Sequence, residues 1–155
     1  MVLDEGVADI SRRRTIVAEP QAIWDVLADF GALSAWAENA DHSSIMNHGA
    51  DGAALGTTRR VQMGRNALVE RIIEFDPPAA LAYSIEGLPR RLHNVVNRWT
   101  LHPAGDATEV VLTSRVEIGG NPLARAAEWV VCRSMAKESD SMLEGLARRM
   151  EQPHA

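Results

Sequence analysis

The chain is poor in the residues on which several kinds of site depend. Its 155 residues include one cysteine, Cys132, and one lysine, Lys137, whereas fifteen are arginine. A single cysteine excludes an intramolecular disulfide and favours a reducing, cytoplasmic location. Schiff-base catalysis would have to use Lys137, which lies in a predicted helix with no second amine beside it. We therefore expect neither disulfide nor amine chemistry.

Long apolar runs and strong positive charge are also missing. No stretch approaches the roughly 18–20 apolar residues that a membrane span needs, and residues 1–15 lack the apolar core of a secretory signal. The net charge of −5 argues against non-specific binding to nucleic acid. We expect one soluble domain over residues 1–155, as a monomer or homodimer without a nucleic-acid partner.

Motifs for metals, nucleophiles and phosphates are absent as well. The histidines His42, His48, His93, His102 and His154 form no HxH or HExxH spacing, and the sequence has a single thiol. There is no G-x-S-x-G motif, and GADGAALG (49–56) lacks the Lys-Ser/Thr ending of a phosphate loop. The sequence predicts no metal site and no cofactor.

Apolar periodicity predicts a chain of antiparallel strands closed by a long helix. A strand over 7–17 precedes a helix over 20–30 and a short helix over 32–37. Six further strands, separated by turn residues, are predicted at 43–48, 56–63, 66–75, 80–86, 92–102 and 108–118. Asn121 and Pro122 suit the N-cap and first position of a helix that reaches about Met150, interrupted only by Gly145. This order predicts an α+β fold.

Two carboxylates lie on predicted apolar faces. In NALVERIIEF (66–75), strand alternation places Glu70 beside Leu68 and Ile72. In the long helix, Glu138 shares one stripe with Val131, Met135, Met142 and Leu146. A buried, unpaired carboxylate costs several kcal/mol or takes up a proton. Glu138 therefore either lines a wet cavity, meets an arginine from the sheet, or lies at the helix edge.

The turn before that strand supplies a cation for Glu70. Gly64-Arg65 can form a two-residue type II′ turn, whose register places Arg59 directly opposite Glu70. Opposite charges that face each other across strands are favourable. Three interpretations of the pair remain open: a structural ion pair, a contact for a ligand, or, with Glu138, acid and base catalysis.

Four segments resemble, in order, the START/SRPBCC helix-grip superfamily, in its polyketide cyclase/dehydrase and lipid-transport branch. They are AEPQAIWDVLADFGALSAW (18–36), GTTRRV (56–61), LVERIIEFDPPAALAYSIEG (68–87) and TEVVLTSRVEI (108–118). The resemblance covers nearly the whole chain. It implies a curved sheet of about six to seven strands wrapped around the long C-terminal helix, with a cavity for a small molecule between them.

The segment IEGLPRRLHNVVNRWTLH (85–102) is also similar to a strand of the plant abscisic acid receptors. This distant resemblance places Arg59 and Glu70 at a strand arginine and a pocket glutamate. It implies a cavity lined by Leu68, Glu70, Tyr83, Ile85, Val95, Asn97, Ser134, Glu138 and Met142. The receptors' Ser-Gly-Leu-Pro-Ala gate is replaced by MGRN (63–66), and their pocket lysine falls near Asp41. Hormone sensing of that type is therefore not expected.

We expect the chain to bind a hydrophobic or amphipathic small molecule, such as a lipid or polyketide. Trp36 and Trp99 could also face this ligand, His93 could reach the mouth of the cavity, and Arg90 and Arg91 would border its entrance. Two alternatives remain open. One is a polyketide or aromatic cyclase or dehydrase, in which Glu70, Glu138 or Tyr83 moves protons. The other is a protein-interaction module without a ligand.

Overall fold

The computed structural model describes residues 2–4, 7–88, 92–118 and 122–151. The strands are β1 (Val2–Asp4), β2 (Val7–Ile16), β3 (His42–Asn47), β4 (Thr58–Met63), β5 (Asn66–Asp76), β6 (Ala80–Glu86), β7 (Leu92–Ala104) and β8 (Ala107–Ile118). Helix α1 (Pro20–Ala28) and a 3₁₀ helix (Phe30–Ala35) follow β2, a 3₁₀ turn (Ala50–Gly52) follows β3, and α2 (Pro122–Glu151) follows β8. The predicted α+β class is confirmed. No described helix is long and apolar enough to cross a membrane.

The eight strands form one antiparallel sheet in the order β1-β2-β8-β7-β6-β5-β4-β3. Strands β3 to β8 are a meander, and β2 returns beside β8. The sequence predicted the seven longer strands but not β1, which pairs with β2 at the sheet edge. A strand of three residues is too short to show an alternation of apolar and polar side chains.

One face of the sheet is buried because the strands alternate as the sequence predicts. On β8, Val110, Leu112, Ser114 and Val116 are buried. On β5, Leu68, Glu70 and Ile72 are only 5%, 5% and 3% exposed. Glu70 therefore does lie among apolar neighbours on the inner face.

The turn between β4 and β5 fixes the register of this inner face. Gly64 has φ of 60°, as the first central residue of a type II′ turn requires. Met63 pairs with Asn66, and Arg59 pairs with Glu70. The predicted register is confirmed.

The short helices close one end of the sheet. Pro20 begins α1, where its missing N–H leaves no donor unpaired. Ile23, Trp24 and Leu27 are buried, and the Trp24 ring meets the edge of Phe75 at 5.2 Å between centroids. The helix predicted over 32–37 is the 3₁₀ helix Phe30–Ala35.

The buried residues form two clusters under α2. The larger joins α1 and the 3₁₀ helix to β4–β8 and to the C-terminal half of α2, including Leu143 and Leu146. The smaller lies under the N-terminal half of α2 and contains Ala8, Ile10, Val95, Val116, Ile118 and Cys132.

Gly145 lets α2 approach the segment after the 3₁₀ helix. A Cβ atom at this position would lie 2.3 Å from the Trp36 carbonyl oxygen, which is far inside van der Waals contact. The one residue that interrupts the helical pattern in the sequence is therefore the one where the helix meets another backbone.

We expect Gly145→Ala to lower the free energy of unfolding by about 1–3 kcal/mol, although alanine is the better helix former by about 1 kcal/mol. The clash with the Trp36 carbonyl must move α2 away from its support. Urea denaturation measures the change. Lys137→Ala, at an exposed position of the same helix, should stay within about 0.5 kcal/mol of the wild type. A Gly145→Ala protein as stable as the wild type would contradict the steric argument.

Candidate ligand-binding site

A cavity of about 370 Å³ lies between the sheet and α2. This volume is in the range of small-molecule sites. Most of its wall is apolar, with side chains from β4–β7 facing others from α2. One end reaches the surface, because its lining includes Val130, which is 59% exposed.

Eight of the twelve residues predicted to bind a ligand line this cavity. They are Leu68, Glu70, Ile85, Val95, Asn97, Ser134, Glu138 and Met142. These side chains come from three strands and one helix, so the fold brings together residues that are far apart in sequence, from 68 to 142. Whether they touch a ligand stays a prediction.

The other four, Trp36, Arg59, Tyr83 and Trp99, are not part of the lining. Each is buried, and none is more than 8% exposed. The Trp36 and Trp99 rings meet edge to face with centroids 5.9 Å apart. The large rings fill the core behind the wall, where they gain contacts on all sides, instead of facing the cavity.

Sequence reasoning missed twelve lining residues, some of which had a signal. Val61 lies opposite Leu68 in the predicted register, Ser114 alternates with the buried residues of β8, and Val131 and Met135 belong to the apolar stripe of α2. The others lie in connections, at strand ends or elsewhere on α2: Leu33, Asn39, Ala40, Met63, Leu88, Leu92, Val130 and Ser139.

An irregularity in β7 changes which side chains face the cavity. The register with β8 shifts between His93 and Val96, and Asn94 there has φ of 48°. The extra residue reverses the alternation, so that Leu92 lines the cavity and His93 is exposed. His93, which we expected to be able to reach the mouth of the cavity, is therefore turned away from the face of Val95 and Asn97 and is not among the lining residues.

Arg59 and Glu70 form a buried ion pair in the wall. Arg59 donates from Nε to Glu70 Oε1 at 2.8 Å and from Nη1 to the Phe30 carbonyl oxygen at 2.9 Å, and its Nη2 lies 2.7 Å from Glu70 Oε1 in the ion pair. Its Cζ lies 3.7 Å from the centroid of the Phe30 ring and 4.6 Å from that of Tyr83. Every guanidinium nitrogen thus has an acceptor, and two aromatic rings lie close to the guanidinium.

Burial sets the protonation of this part of the wall. It raises the pKa of the Glu70 carboxyl above its ordinary value, because the loss of water outweighs the attraction of Arg59. The pKa of the Tyr83 phenol is also raised, first by burial and then by the charge of Glu70. Tyr83, a candidate for moving protons, is therefore a protonated phenol at neutral pH and does not line the cavity.

A chain of polar groups in the cavity wall connects α2 through β8 and β7 to the Tyr83 hydroxyl. Ser114 Oγ donates to Asn97 Oδ1 at 2.6 Å, and the Ser114 and Ser139 hydroxyls are 3.4 Å apart. Asn97 Nδ2 and Trp99 Nε1 each donate to the Tyr83 hydroxyl oxygen over a long 3.4 Å. Asn97 and Ser139 also line the cavity, so they can offer hydrogen bonds to a molecule inside it.

Glu138 lies at the rim of the cavity. Its side chain lines the space and is exposed to water, and its Oε2 accepts a hydrogen bond from Asn39 Nδ2 at 2.7 Å. Two of the interpretations made from the sequence, a pocket position and a helix edge, therefore both describe it. Exposure explains how this carboxylate is tolerated in an otherwise apolar stripe. Arg90, Arg91 and Asn121, for which the sequence predicted roles, lie outside the described residues.

Asp41, near which the pocket lysine of the abscisic acid receptors falls, stabilises the β4–β5 turn. Its Oδ2 accepts a hydrogen bond from the Gly64 backbone N–H at 2.8 Å, and it does not line the cavity. Across residues 2–4, 7–88, 92–118 and 122–151, no group of three or more histidine, cysteine, aspartate or glutamate side chains could hold a metal ion.

Comparison with known families agrees with this architecture. The family described as "Polyketide cyclase / dehydrase and lipid transport" matches residues 7–151, and the chain belongs to it. This confirms the resemblance to the START/SRPBCC superfamily noted on the sequence. A comparison with curated protein sequences gave no match.

Solved structures with similar folds cover most of the chain. The Zhui aromatase/cyclase from Streptomyces sp. R1128 has 17% identity over 94% of each chain and a TM-score of 0.78. A START superfamily protein from Mycobacterium smegmatis has 16% identity over 93% of this chain and 97% of that one, with a TM-score of 0.74. At such identities these structures show the fold alone, and they confirm the helix-grip fold.

Removing one member of the buried ion pair should lower the free energy of unfolding far more than removing both. Arg59→Met or Glu70→Leu alone leaves a buried charge without its partner, and we expect each to lower the free energy of unfolding by about 3–5 kcal/mol. The double variant Arg59→Met/Glu70→Leu should recover most of that loss. Urea denaturation of the four proteins gives a coupling energy, expected above about 2 kcal/mol.

The ion pair between Arg98 and Glu74 is the matched control. It joins the same residue types within the same sheet, but its side chains are 48% and 39% exposed. Its coupling energy should not exceed about 1 kcal/mol. Additive losses at Arg59 and Glu70 would show that their pairing does not stabilise the wall.

The raised pKa of Glu70 predicts the sign of a pH dependence. As pH rises above the ordinary value of 4.5, the unfolded chain loses the proton that the folded carboxyl still holds. The free energy of unfolding of the wild type, relative to Glu70→Gln, should therefore fall and then level off once the folded carboxyl has ionised.

The pH dependence of stability from Glu74 should have the opposite sign, because the hydrogen bond from Arg98 lowers the pKa of the Glu74 carboxyl. Relative to Glu74→Gln, the wild type should lose stability as pH falls below 4.5. Urea denaturation at a series of pH values measures both differences. A wild type that gains stability over Glu70→Gln as pH rises would contradict a raised pKa at Glu70.

Proposed function

We propose that this protein binds a mostly apolar small molecule in the cavity between its sheet and α2. The observation that carries the proposal is a space of about 370 Å³ with a largely apolar wall and a few fixed polar groups. Membership of a family described by lipid transport and by polyketide cyclase and dehydrase activity supports the same class of ligand.

Binding would draw on burial of apolar ligand surface, which contributes about 25 cal/mol per Å² removed from water. Leu68, Val95 and Met142 supply this surface from β5, β7 and α2. Asn97, Ser139 and Glu138 are the polar groups that would orient the ligand. A few polar groups in a mostly apolar wall can orient the ligand, while little free energy is lost in removing water from polar groups.

Binding without chemistry is the first candidate. Arg59 already holds Glu70, and Tyr83 lies behind the wall, so two of the three groups considered for catalysis are committed to the structure. An open cavity also argues against the third idea from the sequence, a module that acts only through protein contacts.

A cyclase or dehydrase is the second candidate, because Glu70 and Glu138 line one cavity. Glu70 has a raised pKa and could donate a proton, while Glu138 could accept one. The fold is shared with an aromatase/cyclase from Streptomyces. The mass of a β-hydroxyketone recovered after incubation separates the candidates, since a dehydrase removes one water and a carrier returns the compound unchanged.

The location and the other partners rest on composition. A cytoplasmic protein, monomeric or dimeric and without nucleic acid, is the proposal that fits one cysteine and a net charge of −5.

A neutral hydrophobic dye tests the proposed site directly. Wild-type protein should enhance the fluorescence of Nile red, and Ser134→Trp should abolish most of the enhancement because the indole fills the cavity from its exposed rim. Lys137→Trp adds the same ring to α2 at an exposed position that does not line the cavity, and it should bind the dye normally. A wild type that does not bind the dye, or a Ser134→Trp protein that binds it unchanged, would count against the proposal.

A further inference from the structure

The charges on the cavity wall have one sign. Glu70 and Glu138 are the charged side chains among the described residues of the lining, which includes no lysine, arginine or histidine. The whole chain also carries a net charge of −5. Arg59 already compensates the charge of Glu70, so a negative group at the rim meets the Glu138 carboxylate and no unpaired cation on the described wall.

The cation beside Glu70 is not available to a ligand. Arg59 uses Nε and Nη2 on Glu70 and Nη1 on the Phe30 carbonyl, and its guanidinium lies against the Phe30 and Tyr83 rings. Its side chain is 3% exposed and does not line the cavity. A ligand carboxylate could reach it only by displacing Glu70.

The rim offers hydrogen-bond acceptors in a fixed orientation. Asn39 Nδ2 donates to Glu138 Oε2 at 2.7 Å. A reversed amide would place its oxygen against the carboxylate, so this orientation is the favourable one. The Asn39 amide oxygen is buried without a hydrogen-bond partner among the described residues, and Asn39 lines the cavity. A ligand at this rim therefore finds an exposed carboxylate and an amide oxygen, and both accept hydrogen bonds.

We propose that the ligand carries a hydroxyl or an ammonium group that donates to Glu138 at the rim, and that the described wall disfavours a carboxylate at that point. This inference rests on the proposed function, and it narrows the ligand class to apolar molecules with a hydrogen-bond donor. A hydroxyl or ammonium can replace water on Glu138, whereas a carboxylate would lose its own hydration and face a like charge. We therefore expect a free fatty acid to bind more weakly than the alcohol with the same chain.

The test uses three probes with the same chain: 1-decanol, decylamine and decanoate, competing with Nile red at pH 7 and about 0.15 M salt, where charges beyond about 8 Å are largely screened. Decanol and decylamine should displace the dye, and decanoate should need at least a roughly tenfold higher concentration than decanol. Comparing decanol with decylamine shows whether a neutral hydrogen-bond donor is enough for binding or whether a positive charge strengthens it.

The decanoate concentration needed to displace the dye, divided by the decanol concentration needed, should fall several-fold in Glu138→Gln. This substitution removes the like charge and leaves the shape of the side chain. Glu144→Gln changes the net charge equally on the same helix but does not line the cavity, and it should leave the ratio unchanged. Decanoate that binds as well as decanol, a ratio that Glu138→Gln does not alter, or dye that none of the probes displaces would overturn the inference. A wild type that fails to bind the dye would instead overturn the proposed function.

Discussion

The buried guanidinium of Arg59 holds three parts of the cavity wall together. Through Glu70 it joins β4 to β5, and through the Phe30 carbonyl it joins both strands to the 3₁₀ helix. Without it, a carboxylate on the apolar inner face would be without a compensating charge. Leu33, Val61 and Leu68, which line the cavity, belong to the three elements that Arg59 contacts, so an uncompensated charge at this point would disturb the wall itself.

A second constraint keeps the cavity open. The C-terminal half of α2 rests on the main core, where Gly145 allows contact with the Trp36 backbone, and its N-terminal half rests on the smaller cluster around Val116. The middle of the helix approaches β8, where the Ser139 and Ser114 hydroxyls are 3.4 Å apart, and the space remains over β4–β7. On the helix side this space is lined by the short side chains of Ser134 and Ser139 as well as by longer apolar ones. The cavity is thus bounded by the two clusters on which the helix packs.

Much of this arrangement could be predicted from sequence, because it depends on local periodicity. Alternation placed Glu70 on the inner face, and the Gly64-Arg65 turn set its register against Arg59. Other features depend on contacts that a linear pattern does not contain. The irregularity at Asn94 turns His93 outward, the Trp36 and Trp99 rings pair inside the core, and Asn39 reaches Glu138 from a connection. The sequence could identify which faces are apolar, but not where two apolar faces stay apart.

Native mass spectrometry of the protein purified from its own host tests the central claim most directly. A cavity that grips a small apolar molecule predicts a complex heavier than the chain by the mass of one such compound, released when the protein is denatured. Protein that is always recovered at the mass of the bare chain, even after incubation with an extract of the host's small molecules, would contradict the claim that this cavity is a binding site.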